Sequence, residues 1–67
     1  MTDTTLEKFR YAQGLRQAGG EYRDPELYRK AAEVFREIGW HPNAEYCDEQ
    51  AEWLEDEEQA EILEGDA

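Results

Sequence analysis

Between Pro25 and Ile38 the apolar residues fall at helical spacing. Leu27, Ala31, Val34 and Ile38 step by four, three and four, with Tyr28 and Phe35 beside them. Arg29, Glu33, Arg36 and Glu37 occupy the opposite arc, so the segment reads as a core helix with one wet side. Its ends carry their own signals. Asp24 is a good N-cap, Pro25 sits where its missing N–H costs nothing, and Gly39 is suited to the left-handed conformation that closes helices. The pattern predicts a helix over about 25–38.

Upstream, Thr4-Thr5-Leu6-Glu7 matches the box in which a hydroxyl and a carboxylate satisfy each other's backbone donors. It predicts a first helix over about 4–18, stopped by Gly19-Gly20. Leu6 and Phe9 share one face while Tyr11, Leu15 and Ala18 point elsewhere, the mark of a helix touched on two sides or frayed at Gly14. After Trp40-His41, Pro42 opens a third helix over about 42–63, on the order of 33 Å long at 1.5 Å per residue. Ala44, Cys47, Ala51 and Leu54 form a narrow stripe suited to close approach of a neighbouring helix. Tyr46 and Trp53, with Ala60 in the same phase, miss that stripe and fall nearly opposite it. Glu58 interrupts the stripe, so the last turns are expected to project from the body. Residues 1–64 then make one domain and 65–67 a trailing acidic tail.

Length and composition narrow what this all-α arrangement can do. A chain of 67 residues buries only roughly 60% of the surface its unfolded form exposes, so help from a partner or a second copy is in keeping with its size. Cys47 is the only cysteine and His41 the only histidine, which leaves no disulfide and too few ligands for zinc within one chain. A lone cysteine without an apolar leader fits a reducing cytoplasm. No apolar run approaches the roughly 18 residues that cross a bilayer, and an acidic surface is repelled by anionic headgroups. No membrane role is expected.

Charge is the most uneven property of the chain. Every Lys and Arg lies at or before Arg36, where seven basic residues face six acidic ones; from Glu37 onward there are twelve carboxylates and no cation. The formal charge of −11 therefore comes from the C-terminal stretch. On the third helix Glu45, Asp48, Glu49, Glu52, Glu55, Asp56, Glu57, Glu58, Glu61 and Glu64 have no Lys at i+4 and are placed to repel one another. A solvated face of good helix formers accounts for this plainly. The alternative is an address for a cationic partner. Ten carboxylates over about 33 Å approach the 3.4 Å phosphate spacing of a single DNA strand. High-salt adaptation is a separate reading, but thirteen of the 18 acids are Glu and the N-terminal half is balanced, which counts against it.

Other candidate chemistry is thin. Asp56-Glu57-Glu58 lacks the alternating ligands and turn glycine of a calcium loop, so no metal and no cofactor is expected. His41 before Pro42 reads as a loop or cap residue, and Cys47 as a small buried hydrophobe. With no Ser, no glycine-rich phosphate loop and no Cys–His–Asp constellation, no catalytic residue is assigned and the chain reads as non-enzymatic. Tyr46 and Trp53 are either packing residues or interface anchors.

Tyr28 to Gly39, followed by Ala44 to Ala51, resembles the helix-turn-helix of tetratricopeptide and Sel1-like repeats, over about 25 residues. The resemblance implies a helical hairpin that binds proteins, with Ala31, Ala32, Gly39, Ala44 and Ala51 at its small-residue places. The 34-residue period of the family is not repeated here. Taken together, the sequence predicts a small three-helix bundle with helix 2 packed between helix 1 and the first half of helix 3. Its partner-binding face comprises Glu45, Asp48, Glu49, Glu52, Glu55, Asp56 and Glu58 with Tyr46 and Trp53. The expected partner is a protein with a basic surface, with no direct nucleic-acid binding. In the most specific form, the chain mimics nucleic acid to inhibit a nuclease, restriction system or CRISPR effector, as phage and mobile-element proteins do. The competing expectation is a helical adaptor or homodimer whose acidity serves solubility.

Overall fold

The computed structural model describes residues 3–65, with side chains from Thr4 to Glu58, and contains three α-helices. These are α1 (Asp3–Tyr22), α2 (Pro25–Glu37) and α3 (His41–Gly65), and the described residues include no strand. Helix α2 lies between the other two, and α1 and α3 barely meet. The result is an elongated slab with principal extents of 53 × 18 × 11 Å.

Both turns are built the same way. The amide of Asp24 donates to the Gly19 carbonyl at 2.9 Å and that of Trp40 to the Phe35 carbonyl at 2.8 Å, each capping the last turn of the preceding helix. One residue before each donor is left-handed: Arg23 with φ 53° and Gly39 with φ 82°. The donor residue then opens the next helix. The Asp24 carboxylate accepts from the Glu26 amide at 3.0 Å, and the Trp40 carbonyl accepts from the Ala44 amide at 3.1 Å. Two residues, Arg23 and Asp24, reverse the chain at the first turn and three, Ile38 to Trp40, at the second.

Two sequence expectations about α1 are corrected here. The helix does not stop at Gly19-Gly20 but runs to Tyr22, because those glycines serve packing and the left-handed position falls to Arg23. A Cβ on Gly19 would stand 3.0 Å from Tyr28 Cδ2 and 3.2 Å from the Tyr28 backbone nitrogen, and one on Gly20 would stand 2.8 Å from the Tyr28 hydroxyl. Close approach of α2 therefore leaves no slack for a side chain at Gly19, where backbone lies in the way, while at Gly20 only the end of the Tyr28 side chain would have to shift. At the other end α1 already includes Asp3, so Thr4 is inside the helix and is not its cap; residues 1 and 2 lie outside the described residues.

The core is thin and rich in small residues: Ala12 from α1, Tyr28, Ala31, Ala32 and Phe35 from α2, and Ala44, Cys47, Ala51 and Leu54 from α3. On α2 the deepest arc is turned from the one the sequence predicts. Leu27, Val34 and Ile38 are only half-buried, because the deepest part of α2 is the arc of Tyr28, Ala31, Ala32 and Phe35, where it is packed between its two neighbours. The predicted α3 stripe is buried throughout. Phe9 ties the α2–α3 turn to α1, with its ring 5.9 Å from Phe35 edge-on and 4.8 Å from Trp40. Of the expected 65–67 tail, Gly65 is the last residue of α3 and the other two lie outside the described residues.

Candidate functional site

Helix α3 divides into sectors because successive residues turn by about 100°. Its inner sector is the apolar stripe against α2. Beside it, Asp48 pairs with Arg36, and Glu55 accepts two bonds from Arg29, at 2.7 Å from Nε and 3.0 Å from Nη2. The register is regular: seven residues separate Arg29 from Arg36 on α2, and seven separate Glu55 from Asp48 on antiparallel α3. The Arg29 fork holds the Glu55 carboxyl below its usual range through those hydrogen bonds, a pull that partial burial opposes. Glu57 lies on the other flank and is bound by Arg23.

These pairs correct the view of the acidic helix as uncompensated. No cation follows at i+4, yet Asp48, Glu55 and Glu57 are each answered by an arginine from elsewhere in the chain. Asp48 and Glu55, placed by the sequence on the partner-binding face, belong to the seam between α2 and α3. Lys8 similarly meets Glu37, at 3.4 Å.

Glu45, Glu49, Glu52 and Asp56 remain, stepping by four, three and four along one exposed stripe, of which Glu52 is near enough to α2 to help hold the Arg29 guanidinium charged. Among the described residues none of the four makes an ion pair. Tyr46 and Trp53 form the adjacent stripe and are 44% and 58% exposed, so neither is a core residue. Glu58 is exposed as well, although its helical phase is that of the buried stripe. The seven-residue register puts the start of α2 level with this part of α3, so no apolar neighbour covers it. The side chains of Ala60, Glu61 and Glu64 lie outside the described residues.

Arg23 is the residue the sequence reading passed over. Its guanidinium sits 5.9 Å from the centroid of the Trp53 ring while its Nη2 reaches Glu57. The side chain is a shared wall of two clefts. One, of about 300 Å³, is lined by Arg23, Leu54, Glu57 and Glu58; the other, of about 230 Å³, by Gly20, Arg23, Tyr28, Gln50, Trp53 and Leu54. Position 23 precedes an Asp-Pro helix start, and that was its only local signal.

The remaining candidates fall where residue chemistry places them. Cys47 is fully buried and burial pushes its thiol pKa up, while His41 is exposed at the first position of α3. The described residues contain no cluster of three metal-ligating side chains, and no described helix is long and apolar enough to cross a membrane. No protein family, curated protein or solved structure matches the chain.

Proposed function

We propose that the chain is a protein-interaction module whose outer α3 face binds a basic surface on a partner protein. One observation carries the reading: Glu45, Glu49, Glu52 and Asp56 share an exposed stripe without ion pairs among the described residues, next to exposed Tyr46 and Trp53. Arginines on the seam balance other acids of the same helix, so the negative potential concentrates on this stripe. Charge of one sign steers an oppositely charged partner, and a large aromatic beside it supplies burial that outlasts screening.

The stripe also bears on how closely the helix imitates nucleic acid. Four carboxylates in three helical steps stand about 5.5 Å apart, against 3.4 Å per phosphate along one strand. Recognition of a basic protein surface is therefore the broader reading. An inhibitor seated in a cationic nucleic-acid groove is its specific form.

The test compares the full chain with a Glu45→Gln, Glu49→Gln, Glu52→Gln, Asp56→Asn variant as baits in an extract. A partner specific to the native chain at low salt, released by about 0.3 M salt and missed by the variant, is the expected outcome. A helical adaptor behaves oppositely: the partner survives the four neutral changes and salt, and is lost with Trp53→Ala. That result would overturn the electrostatic reading.

A further inference from the structure

We infer that Trp53, Glu57 and Glu58 form a guanidinium-binding site, held in this structure by the chain's own Arg23, and that an arginine of the partner takes Arg23's place on binding. The inference rests on the reading of the outer α3 face and specifies the partner chemistry: a segment bearing arginine in preference to lysine.

The site is defined by what already occupies it. A guanidinium lies over the indole of Trp53, 5.9 Å from the ring centroid, and its Nη2 bonds to Glu57 Oε2 at 2.5 Å; the carboxylate supplies the charge, and the aromatic face is the contact that favours arginine over a compact ammonium. The occupant is weakly held, because the Arg23 and Glu57 side chains are 59% and 40% exposed and such pairs are solvent-screened. Its backbone also argues for a role beyond turn-making. At φ 53° a glycine would close α1 with less steric cost, as Gly39 closes α2. The clefts on either side of Arg23, of about 300 and 230 Å³, leave room for a partner's side chain, and Glu58 in one of them offers a further carboxylate. In helical phase Trp53 adjoins the stripe of Glu49 and Asp56, so a segment lying on those acids reaches the site with an adjacent side chain.

Short oligo-arginine and oligo-lysine peptides of equal length are titrated at one low salt concentration into the full chain and four variants, followed by the backbone amide NMR resonances of α3, which every variant retains. Arg23→Gly removes the occupant and suits the left-handed backbone, so it is expected to fold. Lys30→Gln removes the same unit of charge at an exposed position away from the site. Arg23→Gly is expected to tighten oligo-arginine binding about fivefold, the worth of an exposed ion pair plus an exposed cation–π contact, while Lys30→Gln changes it by less than about twofold. Trp53→Leu should abolish the preference for arginine over lysine while leaving charge-driven binding of both peptides, and Glu57→Gln, which removes the charge, should weaken both. If both peptides bind the native chain but Arg23→Gly gains no more than Lys30→Gln, the site is refuted and the acidic face stands. If neither peptide binds, the acidic face fails and the site fails with it.

Discussion

Three glycines with different surroundings show how a single missing Cβ acts in this chain. Gly14 is exposed within α1 and a Cβ there would meet nothing within 4 Å, so it only loosens the helix. Gly14→Ala is expected to raise stability by about 0.5–1 kcal/mol, read as a higher urea midpoint at unchanged slope. Gly19→Ala gains the same helix propensity but drives a methyl to 3.2 Å from the Tyr28 backbone nitrogen, which cannot yield unless α2 moves. A net loss of about 1 kcal/mol is expected from that substitution, within the usual range for overpacking. Gly39 is the third case, needed for its backbone angle rather than for space.

At the scale of elements, α2 and α3 are joined by an apolar seam with an ion-pair edge. The Arg29–Glu55 pair makes that edge sensitive to acid. Because the folded carboxyl titrates below its unfolded value, the folded state binds the proton less readily. The pair's contribution is full above the unfolded carboxylate pKa, about 4.3, and is lost as pH falls through the lower folded value. Glu55→Gln should therefore be less stable than the native chain at neutral pH, with the difference closing in acid. Urea titrations across pH measure it. A constant difference at all pH values would assign the loss to packing.

For the whole molecule, salt should act on folding and binding with opposite signs. The four stripe acids repel at i+3 and i+4, each neighbouring pair costing about 0.2–0.5 kcal/mol, whereas the exposed seam pairs add little. Screening therefore relieves more than it removes, and the urea midpoint should rise as salt is added, over the range in which binding to a basic partner falls. Neutralising Glu45, Glu49, Glu52 and Asp56 together should raise stability at low salt and flatten its salt dependence. Equal salt dependence of the native and neutralised chains would show that the stripe is not where the repulsion lies.

Helix content, the second turn and the α3 core stripe were legible in the sequence because each depends on local rules: Pro25 after Asp24, Gly39 after Ile38, and Ala44, Cys47, Ala51 and Leu54 at helical steps. For Tyr46 and Trp53 the helical phase showed only that they miss the core stripe; that they are exposed was decided by the tertiary structure. What required the tertiary structure was everything set by a neighbouring helix. Gly19-Gly20 resembles a helix stop until Tyr28 is seen to lie against it, and Asp48 and Glu55 resemble free surface acids until α2 brings Arg36 and Arg29 beside them. Helical periodicity fixes which way a side chain points along its own axis. Its partner across a seam is fixed by register, which depends on the length of the turn and the side on which the next helix packs.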